Sequence, residues 1–371
     1  MRFGLFTIGA WHESRTQAQA LNEALEQTVL ADQMGMDEVW LGEHRFSRHG
    51  LLSGIFPFMG AVAAKTKHVR IGTAVIVLGL HNPILLAEET AMLDVISGGR
   101  LNFGIGSGYQ SQEFEGVGVN MDESRERFQE AVDVIIKAWT EERLTFHGKF
   151  TNVDDLWVLP KPLQDPYPTI YQAVSTTPES IDFAASRNIQ VIAGGPTDIL
   201  GQAPQVIQAW RDRMDFYGHP HAHLDPPMSK SIYVAPTMEE AENDPIGIED
   251  FSSRILRSTG TNGAPIGMPM DKNGNIAKGY EHWASRQADR DRRDDPGHAG
   301  LPPLRGTPEV VIERIKQTQD AGINHIFGNF GFPGLPHDKM MRSIELFATR
   351  VMPYFQDAKA KVPSGAPADK A

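Results

Sequence analysis

One stretch of the sequence, VRIGTAVIVLGLHNPILLAEETAMLDVISGGRLNFGIG at residues 69–106, decides which class of fold the chain adopts. Residues 69–78 form a nearly unbroken β-branched and apolar run, which is typical of a strand buried on both faces. Residues 84–96 then follow a helical pattern that Ser97-Gly98-Gly99 ends, and residues 101–105 are a second apolar strand. This order of strand, helix and strand predicts two parallel strands joined by a right-handed crossover.

The same alternation of strand and helix runs through the rest of the chain. Further strands are predicted at residues 3–8, 38–41, 169–173, 190–193, 228–235 and 325–329. Further helices are predicted at residues 17–35, 57–65, 122–142, 178–187, 205–216, 308–321 and 337–350, the third of them capped by Asp122. About eight strands, each followed by a helix, favour a (β/α)8 TIM barrel, and a doubly wound open sheet is the alternative.

The composition excludes several classes of function. The chain has 371 residues, a formal net charge of −12 and no cysteine. Without a thiol there is no cysteine nucleophile or thiolate metal site, and an acidic chain lacks the basic face that nucleic-acid binding needs. No window reaches the roughly 18 unbroken apolar residues of a membrane span, and residues 1–13 lack the pattern of a signal peptide. We therefore expect a cytoplasmic protein with a small-molecule substrate and no nucleic-acid or membrane partner.

Two segments depart from the repeat of strands and helices. Residues 244–303 are rich in glycine, proline, asparagine and charge, which is typical either of a functional lid or of a solvated excursion. Residues 357–371 have the composition of a disordered tail. The predicted organisation is a single barrel domain over residues 1–356 with a long insertion before the last strand.

The stretch VWLGEHRF, residues 39–46, places three ionisable side chains where a predicted strand ends. In parallel-sheet proteins ligands are bound just past the carboxyl ends of the strands. His44 is the leading catalytic residue, because an imidazole exchanges protons near neutral pH. Glu43 either orients His44 or forms a salt bridge with Arg45. A purely structural histidine at the strand end is the competing interpretation.

Two other strand ends carry weaker signals. Ser175, Thr176 and Thr177 precede Pro178 at a predicted helix start, where free backbone N–H groups and hydroxyls suit an anion. An ordinary helix cap by Thr177 explains the same pattern and is favoured on spacing alone. The stretch FGIGSGYQ, residues 103–110, interrupts a strand end with glycines, which often means that backbone approaches a ligand closely.

Two further patterns have simple alternatives. Residues that could bind a metal follow several predicted strands, namely His12, Glu13, Glu43, His44 and His81. No short metal-binding motif joins them, so we predict no metal site. Aromatic residues that could line a substrate pocket or belong to the core are Trp11, Phe46, Phe56, Phe58 and Tyr109.

Several stretches taken together resemble the bacterial luciferase-like flavin-dependent monooxygenases. They are LGEHRF at 41–46, the block from 70 to 109, ESRERFQEAVDVIIKAW at 123–139 and AVSTTPES at 173–180. The resemblance covers residues 1–217 and resumes at residues 305–330. It implies a (β/α)8 barrel with reduced FMN bound at its C-terminal mouth.

The resemblance also implies roles for individual residues. A cis peptide between Ala74 and Val75 would lie against the flavin, and Gly194 would lie near its ring system. His44 would handle protons during oxygenation. The phosphate site maps onto Ser175 and Thr176, with help from the turn formed by Gly106, Ser107, Gly108 and Tyr109. This implication turns the weaker anion interpretation of residues 175–177 into the favoured one.

Two residues depart from the pattern of the luciferase α chain. Arg45 stands in place of a second histidine, and Ser107 stands in place of an arginine near the phosphate. These changes argue against light emission and leave monooxygenation in place, with another basic residue serving the phosphate.

The predicted reaction uses reduced FMN and O2 to oxygenate a small organic substrate such as an aldehyde or ketone, with a separate flavin reductase and a homodimeric enzyme. Three alternatives stay open at this point. They are a deazaflavin-dependent oxidoreductase of the same fold, a non-catalytic flavin-binding protein and a metal-dependent barrel hydrolase.

Overall fold

The computed structural model describes residues 1–194, 202–246, 251–258, 260, 265–283 and 303–356. The strands in these ranges are β1 Arg2–Thr7, β2 Glu38–Leu41, β3 Arg70–Thr73, β4 Ile76–Val77, β5 Leu101–Gly106, β6 Leu144–His147, β7 Asn152–Leu156, β8 Ile170–Ala173, β9 Gln190–Gly194, β10 Met228–Val234, β11 Leu304–Gly306 and β12 His325–Asn329. The helices are α1 Gln17–Gln33, α2 Ile55–Lys65, α3 Pro83–Ile96, α4 Ser111–Gly116, α5 Ser124–Thr140, α6 Pro178–Ser186, α7 Ala203–Tyr217, α8 Met238–Asn243, α9 Phe251–Arg257, α10 Pro308–Asp320, α11 His337–Leu346 and α12 Met352–Gln356.

Eight parallel strands close into a barrel. Their order around the barrel is β1, β2, β3, β5, β8, β9, β10 and β12, and β12 pairs with β1 again. The predicted TIM barrel is therefore confirmed, and the open-sheet alternative is wrong. Because all the strands run in one direction, the loops that follow them meet at one end of the barrel.

The strand predicted over residues 69–78 is divided in two. The peptide bond between Ala74 and Val75 is cis, as the family resemblance implied, and it separates β3 from β4. β3 pairs with both β2 and β5, whereas the short β4 pairs with β5 alone among the described strands. Periodicity alone does not reveal such an interruption, because the side chains on both sides of it are apolar.

Aromatic side chains fill the middle of the barrel. Trp40 stacks on Phe327 with ring centroids 5.3 Å apart, and Tyr171 meets Trp40 edge-on at 5.1 Å. Gly72 makes room for the indole, because a Cβ there would lie 2.4 Å from a Trp40 ring carbon. Phe6, Ala74, Val75 and Ile192 belong to the same cluster. This aromatic cluster fills the interior of the barrel, so a ligand can bind only at the mouth, where the strands end.

The outer helices follow the predictions closely, with two exceptions. Asp122 does not cap α5: it lies in the short 3-10 turn Met121–Glu123, which Asn120 caps, and its carboxylate accepts a hydrogen bond from the Lys278 N–H. The helix predicted at residues 337–350 is divided. Its first part, α11, ends at Leu346, and the chain continues through a π-helical turn, Phe347–Val351, into α12.

Elements that were not predicted lie outside the eight-stranded barrel. They include the antiparallel hairpin of β6 and β7, the strand β11 beside β10, and the helices α4, α8 and α9. Part of the predicted insertion at residues 244–303 and the whole of the predicted tail at residues 357–371 lie outside the described residues. Among the described helices, none has both the length and the apolar character to cross a membrane.

Candidate functional site

The mouth of the barrel is formed by the loops that follow β2, β4, β5, β8 and β9. His44 follows β2, and the turn formed by Ser107, Gly108 and Tyr109 follows β5. Backbone contacts bring these loops together. The Glu43 N–H donates to the Val75 carbonyl at 3.3 Å, so the end of β2 lies directly beside the cis peptide.

Glu43 is a buried carboxylate that binds a cation and a histidine. It accepts hydrogen bonds from Arg45 Nε at 3.0 Å, from His81 Nε2 at 2.9 Å and from the Val77 N–H at 3.2 Å. Burial by itself would raise the pKa of Glu43, but the hydrogen bond and charge of His81, together with Arg45, outweigh burial and lower this pKa below its usual value. Of the two predicted roles, Glu43 therefore has the salt bridge with Arg45, and it accepts no hydrogen bond from a ring nitrogen of His44.

His44 contacts a different carboxylate. Its Nδ1 lies 3.1 Å from Glu113 Oε1 and 3.0 Å from Gln110 Nε2. Glu113 is buried in α4, and the same oxygen accepts a hydrogen bond from the Arg45 N–H at 2.8 Å. Neither Glu113 nor Gln110 was predicted from the sequence. Glu113 is 69 positions from His44, and only the pairing of β2 and β5 with β3 brings the two loops together.

A second histidine packs against His44. The rings of His44 and His49 have centroids 4.5 Å apart, and His49 is 4% exposed. Burial, and then the charge of His44, hold the pKa of His49 well below its ordinary value, so His49 is neutral near pH 7. Its Nδ1 is buried and has no hydrogen-bond partner among the described residues.

The cis peptide lies against the glycine backbone of β5. A Cβ at Gly106 would come within 2.6 Å of a Val75 methyl carbon, and one at Gly104 would collide with the Thr73 carbonyl oxygen at 1.7 Å. Only glycine allows β5 to approach β3 and β4 this closely. Gly104 and Gly106 of the FGIGSGYQ stretch therefore allow close packing beside the cis peptide, whereas Gly108 packs against Val77 and Phe114.

The hydroxyl-rich loop after β8 leads into α6, and no side chain caps the start of that helix. Thr177 precedes α6 in an extended conformation but makes no side-chain cap hydrogen bond. Its Oγ1 is instead 3.1 Å from Ser175 Oγ. The predicted helix cap by the Thr177 side chain is thus wrong. Thr176 lies in the chain between Ser175 and Thr177, whose hydroxyls contact each other. On the next strand, Gly194 ends β9 with a φ of +83°, close to the Ser229 carbonyl.

Part of the insertion covers the loop after β5. Tyr280 Oη donates a hydrogen bond to the Gly108 carbonyl at 2.7 Å, and Trp283 stacks on Tyr109 with centroids 5.4 Å apart and planes at 18°. Both aromatic residues belong to a buried cluster with Val77. The insertion is evident from the sequence, but these two residues are not, because they lie in a segment of mixed composition without periodicity.

The other predicted side chains are divided between the mouth and the core. Phe56 and Phe58 pack against the main core from α2, so they do not line the mouth. Phe46 is mostly exposed and lies over Gly116, and Trp11 lies beneath the Arg48 guanidinium. Within the ranges that the structure describes, no group of three histidine or carboxylate residues is arranged to hold a metal ion.

Comparison with known proteins places this arrangement in a family. Residues 1–325 match the family model described as luciferase-like monooxygenase. The chain belongs to this family. The match covers most of the chain, including every strand-end residue described above.

Relatives of this luciferase-like chain include named monooxygenases. The oxygenase component of flavin-dependent trigonelline monooxygenase from Acinetobacter baylyi is 36% identical over 196 residues, which cover 52% of this chain and 54% of that protein. Limonene 1,2-monooxygenase from Rhodococcus erythropolis is 26% identical over 365 residues, which cover 95% of this chain and 86% of that protein. The chain therefore matches only about half the length of the first of these relatives.

A solved structure has the same architecture. The crystal structure of the monooxygenase RslO1 from Streptomyces bottropensis superimposes with a TM-score of 0.80 at 27% identity. The superposition covers 96% of this luciferase-like chain and 100% of RslO1.

The residues at the mouth suit a flat ring system that carries a phosphate group. Ala74 and Val75 offer an apolar surface beside the bare backbone of Gly106, which suits a flat ring system. The uncapped start of α6, with the Ser175 and Thr177 hydroxyls, suits a phosphate.

Proposed function

We propose that this luciferase-like protein is a monooxygenase that uses reduced FMN and O2 to oxygenate a small organic substrate, such as an aldehyde or ketone. The observation that carries the proposal is the shared position of three features at one barrel mouth. They are the mostly buried His44 with its carboxylate partner, the apolar surface at Ala74 and Val75, and the uncapped hydroxyl-rich start of α6. The names of the relatives support the same reaction class.

In this proposal the loops after four strands hold the cofactor. Ala74, Val75 and Gly194 lie beside the ring system. Ser175 and Thr176 bind the phosphate, together with the turn formed by Gly106, Ser107, Gly108 and Tyr109. Reduced FMN supplies the two electrons needed to reduce one atom of O2 to water while the other atom enters the substrate.

His44 supplies proton transfer at the mouth. Its ring is mostly buried, and its Nε2 makes no hydrogen bond to the described residues, so this nitrogen is available to a bound group. Glu43 contributes by holding Arg45 and His81 in the wall beside His44. Tyr280 and Trp283 cover the loop after β5, which helps to exclude water from the reaction. The lid function predicted for the insertion is thus part of the proposal.

A separate reductase delivers the reduced flavin in this proposal. The trigonelline relative is the oxygenase component of its enzyme, which supports a reductase on another chain. We expect turnover with NADH only when a flavin reductase is added, and turnover without NADH when FMN is reduced photochemically. Turnover with NADH and FMN in the absence of a reductase would contradict this part of the proposal. The predicted cytoplasmic location stays a prediction.

The decisive test of the reaction has two stages. First, the purified protein is titrated anaerobically with reduced FMN, and binding is followed by absorbance. Second, the complex is mixed with ¹⁸O2 and a panel of aldehydes and ketones, and the products are analysed by mass spectrometry. One ¹⁸O atom per product molecule is the expected result.

Other outcomes of this test identify the alternatives. Tight binding of reduced FMN with no oxygenated product from any substrate class would favour a flavin-binding protein without turnover. Absence of FMN binding, together with binding of a reduced deazaflavin, would favour hydride transfer without oxygen. Either result would overturn the proposal.

We also propose that the enzyme is a homodimer formed through α3. This helix exposes apolar residues on one face, with Ile96 64% and Met92 50% exposed, and Leu85 and Val95 beside them. Several large apolar side chains exposed on one helix in this way are typical of an interaction surface. The proposal retains the dimer implied by the family resemblance.

Light scattering coupled to size-exclusion chromatography tests the dimer. The double variant Met92→Glu, Ile96→Glu should elute as a monomer, because it places two like charges on each side of a symmetric interface. The matched control is Phe216→Glu on α7, where an equally exposed apolar residue should leave the dimer intact. A monomeric unmodified protein, or a dimer that survives the double substitution, would contradict the interface.

A further inference from the structure

The ring nitrogen Nδ1 of His44 has two neighbours that demand opposite protonation states. Glu113 Oε1 lies 3.1 Å away and Gln110 Nε2 lies 3.0 Å away. A protonated Nδ1 donates a hydrogen bond to the carboxylate. An unprotonated Nδ1 accepts one from the amide nitrogen. In a neutral imidazole the choice also decides Nε2, because only one of the two nitrogens carries the proton.

The carboxylate decides between the two states. Glu113 is 1% exposed, and an ionised carboxylate only accepts hydrogen bonds. Its Oε1 already accepts one from the Arg45 N–H at 2.8 Å. An unprotonated Nδ1 would point a lone pair at this buried oxygen, whereas a protonated Nδ1 adds a charge-assisted hydrogen bond. The second arrangement satisfies the carboxylate and the first does not.

The amide of Gln110 adapts to a protonated Nδ1. Its Oε1 has no hydrogen-bond partner among the described residues, so turning the amide by 180° breaks no bond of that oxygen. The turned amide presents its oxygen both to the Nδ1–H of His44 and to the Tyr109 hydroxyl, 3.4 Å away at that position. Gln110 is therefore compatible with the state that Glu113 requires.

The position of Glu113 is fixed by its helix. The next residue, Phe114, is fully buried and packs close to the Gly79 and Gly108 positions. The buried Phe114 thus anchors the helix that carries Glu113 beside His44.

We propose that Glu113 is the positioning residue that fixes His44 as the Nδ1–H tautomer, so that the lone pair on Nε2 is the base at the mouth. When Nε2 accepts a proton from substrate or solvent, the ring becomes an imidazolium whose charge Glu113 balances. The proton returns to solvent when the ring becomes neutral again. The tautomer assignment stands on the geometry alone, and only the role as a base rests on the proposed function.

Nitrogen NMR measures the tautomer directly. The protein is labelled with ¹⁵N in its histidine side chains, and long-range ¹H–¹⁵N spectra are recorded without flavin at about pH 8.5, where an ordinary histidine is neutral. The His44 signals are those missing from His44→Ala. The expected result is the Nδ1–H tautomer as the major form. The Nε2–H tautomer as the major form would overturn the proposal.

Variants then identify the responsible neighbour. Glu113→Leu removes the acceptor and should make the Nε2–H tautomer the major form, whereas Glu113→Gln retains an acceptor oxygen and should keep Nδ1–H. Gln110→Leu is the matched control and should also keep Nδ1–H. A change of tautomer in Gln110→Leu, or none in Glu113→Leu, would overturn the assignment. If Glu113→Leu does not fold, the unmodified protein still decides the tautomer, and a change of tautomer in Gln110→Leu still overturns the assignment to Glu113.

Turnover supplies the functional readout. Glu113→Leu should lower kcat about 10²-fold with little change in KM, and Glu113→Gln should recover part of that loss. A kcat that stays at the unmodified level while the tautomer changes would show that Glu113 fixes the ring without serving the reaction. Because the spectra need neither flavin nor substrate, a failed monooxygenase reaction and a wrong tautomer give different results.

Discussion

His44 lies near two buried carboxylates, and only one of them contacts its ring. Glu43 is the neighbour in sequence, yet it is occupied by Arg45 and His81, while Glu113 reaches His44 from α4. Adjacent residues at a strand end point in different directions, so sequence proximity is a poor guide to which carboxylate orients a histidine.

The residue-scale prediction concerns His44 itself. His44→Ala should lower turnover about 10²–10⁴-fold, because a positioned proton-transfer group contributes about that much. Reduced FMN should bind within about twofold of its original affinity, since the residues proposed to hold it follow other strands. Steady-state kinetics and anaerobic titration measure the two effects. His12→Ala, a histidine that follows β1, is the control and should retain turnover; a fully active His44→Ala would remove His44 from the reaction.

At the scale of elements, the hydrogen bond from Tyr280 is one of the contacts that join the described part of the insertion to the barrel mouth. Tyr280→Phe deletes the hydroxyl that donates to the Gly108 carbonyl. Loss of one such hydrogen bond costs about 1 kcal/mol, which is roughly a fivefold change in the open population. Trypsin should therefore cleave after Lys278 about fivefold faster, as followed by mass spectrometry. The control Tyr354→Phe on α12 should be cleaved at the original rate. Equal cleavage rates in the two variants would show that the Tyr280 hydroxyl does not hold the insertion on the mouth.

A second prediction at this scale concerns the approach of β5 to β3. Gly104→Ala would place a Cβ 1.7 Å from the Thr73 carbonyl oxygen, so a strand must shift. We expect the free energy of unfolding to fall by about 3 kcal/mol or more. Gly60→Ala in α2, where an added Cβ meets nothing within 4 Å, should raise it by about 0.5–1 kcal/mol. Urea unfolding compares the two, and a stable Gly104→Ala would show that the strands are not in tight contact.

At the scale of the whole molecule, barrel closure buries a charged network at the N-terminal ends of the strands. Glu38 in β2 accepts hydrogen bonds from Trp40 Nε1 and from His325 Nε2 in β12, each at 2.7 Å. Burial would raise the pKa of Glu38, but His325, with Arg2 and Trp40, outweighs it and lowers the pKa to about 2. The network joins strands from both ends of the chain, so it depends on the closed barrel.

The pH dependence of stability tests this network. Because the folded pKa of Glu38 lies below its ordinary value of 4.5, its contribution is present above pH 4.5 and is lost as the pH falls toward 2. The contribution is about 3 kcal/mol. Glu38→Gln should lower the free energy of unfolding by about this amount at pH 7 and flatten its fall in acid. Exposed Glu313→Gln should change it by only a few tenths of a kcal/mol, and an unchanged acid profile in Glu38→Gln would contradict the prediction.

Prediction from sequence succeeded where the signal is local. The bounds of β2 and β12 agree with the predicted strands, because short apolar runs between polar turns mark buried strands. The break at Ala74–Val75 came from family resemblance and not from periodicity. The cap by Asp122 failed because Asn120 starts an earlier turn and Lys278 binds the aspartate. The hairpin of β6 and β7 was missed because it lies in an irregular stretch outside the strand–helix repeat.

Sequence patterns predicted the barrel, the strand ends that form its mouth and His44 as the leading candidate for a catalytic residue. These features can be predicted because they depend on the spacing and type of residues that lie close together in the sequence. Tertiary structure alone decided which carboxylate contacts His44 and which residues of the insertion cover the loop after β5. Such contacts arise only when the strands close into a barrel, because closure brings loops from distant parts of the chain to one end.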